Sequence, residues 1–201
     1  MADLLAQYGW LSGLGGTLCL VAVGPVLTQD GSRLRDGEVL LLLVIGAAAW
    51  MACLVGSAYV HGDRDSLTLW AGVSLASLGL VAWATGWAGF FIGGIGSGES
   101  ASLTGWLVFT AIALGAIGAV VGLAVFGAGA VRAKVLPWWG RIAPLVMAAV
   151  LPAAVFINNV RGERSVLLNG LALAVFGLGW IVLGVATRLV ALQGSIGEPA
   201  A

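Results

Sequence analysis

Charged side chains are scarce in this chain, at 9% of residues against about 25% in a typical soluble domain. Nine basic and nine acidic residues cancel, and no basic run exists. A nucleic-acid partner is therefore not expected. Cysteine is almost absent. Cys19 and Cys53 both fall inside apolar stretches and read as small buried hydrophobes. A metal or redox role would need partners that the sequence does not supply. The opening stretch MADLLAQYGW carries Asp3 and no basic residue. A signal peptide needs a basic start, so the first apolar stretch is expected to be a retained span.

Ionisable groups are missing from the middle of every long apolar stretch. Proton pumps, voltage sensors and carboxylate-based exchangers keep such groups at depth, so their absence argues against those classes. Glu38, Arg141 and Arg188 lie near stretch ends, where long side chains reach the interface. With one histidine there is no axial pair for a haem, Met51 and Met147 being the other candidates. His61 reads as a solvated loop residue beside Asp63 and Asp65. Ser74, Ser77, Thr85 and Thr110 lie deep but have no base nearby for nucleophilic chemistry. The GGIGSGES stretch, Gly93 to Ser100, lacks the lysine and preceding strand of a phosphate loop. The expectation is no enzyme, no cofactor and no metal.

What the chain has is apolar surface and glycine. Hydrophobic residues make up 60%, the mean hydropathy is +1.06, and 32 of 201 residues are glycine. Six stretches reach the ~20 residues needed to cross a hydrocarbon core. They lie at Tyr8–Leu27, Glu38–Val60, Leu67–Gly93, Leu103–Gly129, Pro137–Ile157 and Val166–Leu192. The expected fold is all-α, a single domain over 1–201: a polytopic bundle of six transmembrane helices in the cell membrane. Its gaps are too short for a soluble domain, and both termini fall on one side. Arg64, Arg132, Lys134, Arg141 and Arg188 lie on that side, against Arg33, Arg35, Arg161 and Arg164 opposite. Positive-inside counting then favours cytoplasmic termini. Trp10, Trp70, Trp106, Trp138 and Trp139 sit near span ends, where indoles favour the headgroup layer. Trp50, Trp83, Trp87 and Trp180 lie deeper.

Glycine recurs every seven residues in three spans: Gly72, Gly79, Gly86 and Gly93; Gly115, Gly122 and Gly129; Gly170, Gly177 and Gly184. That spacing holds one helix face, and a bare face lets another backbone approach closely in lipid. Close contacts are expected among the third, fourth and sixth spans. An offset of 98 residues superposes Gly72, Gly79 and Leu80 on Gly170, Gly177 and Leu178. Two repeats of three spans would have opposite orientation in the membrane, as in many transporters. The second and fifth spans match little at that offset, and Gly/Ala/Leu-rich helices also align by accident.

The fifth span holds the candidate site. Pro144 and Pro152 each remove a backbone donor and release a carbonyl one turn earlier. Lipid cannot satisfy such carbonyls. Asn158 and Asn159 end the span, and Asn169 begins the next. These groups could coordinate a small polar solute or lipid headgroup, with Arg161 and Arg164 near enough for lipid phosphate. The competing reading is a kinked helix with interfacial amides.

The turn Arg132-Ala133-Lys134-Val135-Leu136-Pro137-Trp138-Trp139 resembles the Arg-x-x-x-Leu-Pro-x-Trp turn of small multi-pass membrane proteins of high-GC bacteria. The resemblance covers roughly the last three spans, to Gly177–Trp180. It implies a related fold and no functional residues. Two roles remain. One is a non-catalytic accessory, assembly or structural subunit, partnered by the bilayer and by other subunits or copies of itself. The alternative is a small channel or carrier for a neutral or lipidic solute.

Overall fold

The computed structural model describes residues 16–17, 36–62, 64–92, 103–162 and 165–196, and their regular structure is entirely helical. Five helices follow in order: α1 Asp36–His61, α2 Ser66–Ile92, α3 Leu103–Ala133, α4 Trp138–Arg161 and α5 Val166–Ile196. Each contains a stretch long and apolar enough to cross a membrane. Five, not six, such helices stand among the described residues. The expected first span, Tyr8–Leu27, lies outside them apart from Gly16 and Thr17, which are helical.

The other five spans became helices, and the later ones overshoot their expected ends. α3 continues past Gly129 to Ala133, because Ala130 and Ala133 are buried in the core. α4 runs unbroken through Pro144 and Pro152 to Arg161. It stops where Gly162 turns left-handed at φ 68° and donates its N–H to the Asn159 carbonyl. Glycine adopts that conformation without the strain that a β-carbon brings. Ser165 then starts α5, its hydroxyl accepting from the Leu168 N–H at 3.3 Å.

The helices close into a ring. α1 packs on α2, α2 on α3, α3 on α4, α4 on α5, and α5 returns to α1. The tightest seam is α2–α3, an antiparallel pair with Gly72 facing Phe126, Gly79 facing Gly115 and Gly118, and Gly86 facing Ile112. A β-carbon on Gly72 would lie 2.7 Å from the Phe126 Cα, and one on Gly122 would lie 2.5 Å from the Ala76 Cα. Those approaches leave no room for any side chain. Gly129 instead receives the Leu69 side chain.

The glycines of α5 behave differently. Gly170, Gly177 and Gly184 are all buried. Gly177 receives Gly16, whose β-carbon would lie 2.5 Å from the Gly177 carbonyl oxygen. The sixth span's stripe was expected against the third and fourth. At Gly177 it faces the helical residues ahead of α1.

Candidate functional site

The fifth-span candidates fall into separate places. Pro144 is fully buried, whereas Pro152, Asn159 and Arg161 are exposed. Asn158 and Asn169 do meet: the Asn158 amide donates to the Asn169 side-chain oxygen at 2.8 Å. The Asn158 oxygen accepts from the Ser165 N–H at 3.0 Å. These two amides therefore clasp the turn between α4 and α5. Arg164 lies outside the described residues.

The buried polar groups collect elsewhere, between α1 and α5. Trp50, Cys53, Ser57 and His61 recur every three or four residues, so they share one face of α1. Opposite them on α5 stand Trp180 and Thr187, seven apart. Ser57, His61 and Thr187 are the buried polar residues of the bundle core among the described residues. The Thr187 hydroxyl donates to the Leu183 carbonyl at 2.9 Å. Its single proton is thereby used, so Ser57 donates to Thr187 across the seam at 2.7 Å. The Cys53 thiol lies 4.0 Å from the Ser57 oxygen. The His61 Nδ1 lies 2.6 Å from the Ser57 carbonyl. A carbonyl can only accept, so Nδ1 carries the proton and Nε2 of the neutral ring is an acceptor.

Aromatic rings close the inner end. Trp50 and Trp180 stack with centroids 5.4 Å apart and planes 8° from parallel. Phe176 stands nearly perpendicular to both, at 88° to Trp50 and 80° to Trp180. Three buried atoms of this seam have no hydrogen-bond partner among the described residues: the Nε1 of Trp50, the Nε1 of Trp180 and the Nε2 of His61. Leaving a buried donor or acceptor unpaired costs about 1–3 kcal/mol. All three lie along the one face where α1 meets α5.

One sequence expectation is corrected here. His61 is 2% exposed in the last turn of α1, with its ring 6.3 Å from Phe126, and is no loop residue. Helix α1 extends far enough to carry it under α3. Ser74, Thr85 and Thr110 are exposed and Ser77 is half-buried, although all four lie deep along their spans. Depth along a span does not say which face a residue occupies. The hydroxyls that turn inward are Ser57 and Thr187. Their signal was the polar spacing 53, 57, 61 within an apolar span, and it had no visible partner until α5 came alongside.

Among the described residues these features define an all-helical arrangement compatible with a multi-pass membrane protein, with a polar seam in its core. No family model, curated protein or solved structure matches the chain.

Proposed function

We propose that this chain is a non-catalytic integral membrane protein of six spans, acting as a small channel or carrier for a neutral solute. The supporting observation is a pair of glycine contacts. Gly79 packs on Gly115, and Gly16 packs on Gly177. The 98-residue offset relates Gly79 to Gly177, and the other two partners, Gly16 and Gly115, lie 99 apart. Each half of the chain thus supplies one glycine to the same kind of junction with the other half. Helices α2 and α5 run in opposite directions around the ring, as inverted repeats require. Transporters built this way rock one half against the other around a central site.

The test is reconstitution into phosphatidylethanolamine–phosphatidylglycerol vesicles, with solute flux followed by stopped-flow light scattering. Flux of small neutral solutes above that of protein-free vesicles is the expected result. Rates equal to protein-free vesicles would sink this reading. Placement in the cell membrane with cytoplasmic termini belongs to the same proposal.

The accessory-subunit reading draws on α3. Its outward face carries Leu107, Leu114 and Val121, seven apart and exposed. Native mass spectrometry from mild detergent separates the two. A stoichiometric complex with other subunits favours the accessory role, and a lone chain or homo-oligomer favours the carrier.

A further inference from the structure

We propose that the seam between α1 and α5 is the path taken by small uncharged hydroxyl-bearing molecules, water and short polyols, with Trp50, Trp180 and His61 as its hydrogen-bonding stations. This rests on the channel-or-carrier reading and gives it a location and a solute class.

The class follows from the lining. The stripe from Trp50 to His61 contains no charge, so an ion would lose its hydration with nothing to replace it. Trp50 and Trp180 present N–H donors, which need an acceptor. The His61 Nε2 presents an acceptor, which needs a donor. A molecule that satisfies all three in turn must both give and take hydrogen bonds, and a hydroxyl does both. Trp50 and His61 are eleven residues apart, about 16 Å along a helix. That is roughly half of a ~30 Å hydrocarbon core. The stations therefore run from one membrane face to mid-depth.

Two observations extend the path and let it open. One turn before Trp50, on the same face of α1, Gly46 is buried, yet a β-carbon there would meet nothing within 4 Å among the described residues. Open space thus lies in line with the stripe, just beyond the stacked indoles. The seam also joins the two halves of the chain, and it is bridged by the side-chain hydrogen bond from Ser57 to Thr187 and by stacked rings, with no backbone-to-backbone approach between α1 and α5 among the described residues. The α2–α3 junction, backbone against backbone, has no comparable freedom. Parting α1 from α5 exposes the unpaired groups to a solute while α2 and α3 stay locked.

The test closes the seam by a covalent bond. Ser57→Cys and Thr187→Cys are combined in a Cys19→Ser, Cys53→Ala background. The hydroxyl oxygens stand 2.7 Å apart, which puts the new sulfurs within bonding reach. Reconstituted full-length chain is assayed for water and glycerol flux after oxidation and again after reduction. The expected result is flux several-fold above protein-free vesicles when reduced, falling to the protein-free rate when oxidised. Equal flux in both states would overturn the seam as the path while leaving the carrier reading intact. Protein-free rates throughout, in this variant and the unaltered chain, would overturn both. A readout independent of flux uses Cys53 in the Cys19→Ser chain. Alkylation of Cys53 by N-ethylmaleimide should proceed in the membrane and slow several-fold in molar glycerol. An inert Cys53, or one that glycerol does not protect, counts against the seam.

Discussion

Gly79 of α2 and Gly115 of α3 press backbone to backbone: a β-carbon on Gly79 would lie 2.7 Å from the Gly115 carbonyl oxygen, and one on Gly115 would lie 2.8 Å from that of Gly79. The approach is reciprocal, so neither helix can shift to admit a side chain without opening the whole seam. Lipid tails are as apolar as leucine, and close van der Waals contact is what holds such helices together.

Gly79→Leu should therefore break the bundle. Overpacking costs about 1–3 kcal/mol in soluble cores and more where backbone must move. Gly177→Leu, buried against Gly16, should behave alike. The expected outcome is a lower aggregation temperature in detergent for both variants. Unchanged melting of both would show that these contacts are dispensable.

Gly46→Leu should do the opposite. Open space surrounds its missing side chain, and replacing a helical glycine gains about 0.5–1 kcal/mol. The variant should melt no lower than the parent while its glycerol flux falls several-fold, because leucine fills the line of the path. A large drop in melting temperature would mean that the space is not there.

Trp50→Phe and Trp180→Phe keep the aromatic packing and delete the two unpartnered N–H groups. Removing an unpaired buried donor relieves about 1–3 kcal/mol, so the folded chain should be as stable or more so. Flux should fall, since two stations are lost. Melting by tryptophan-independent light scattering, alongside flux, checks both halves of this expectation.

Asn158→Leu should loosen the turn between α4 and α5. It removes the bonds to Asn169 and Ser165, each worth about 1 kcal/mol. Faster amide exchange near Ser165 and Leu168 is the expected readout, with glycerol flux little changed. A flux collapse without faster exchange would return Asn158 to the transport path.

Legibility followed the kind of signal each feature carries. Helices α1 to α5 could be read because runs of about 20 apolar residues have few other fates. The glycine faces could be read because seven-residue spacing is a property of one helix alone. Their partners could not. Gly79 and Gly177 look alike in sequence, yet one meets Gly115 and the other meets Gly16. Asn158 and Asn169 could be singled out as polar groups near a membrane face, but their mutual bond needed the turn at Gly162 to bring them together. Ser57 and Thr187, 130 residues apart, had no local signal to link them.

What the sequence determined by itself is therefore local and one-dimensional: helical spans, the seven-residue glycine spacing on them, and the lack of ionisable residues at their middles. These follow from composition and period, since a helix in lipid must satisfy its backbone internally whatever its neighbours. Only the tertiary structure decided which faces meet. It put Trp50 over Trp180, joined Ser57 to Thr187 and turned His61 inward, because in a bundle of uniformly apolar helices the fit of backbone into groove, and not hydrophobicity, selects the partner.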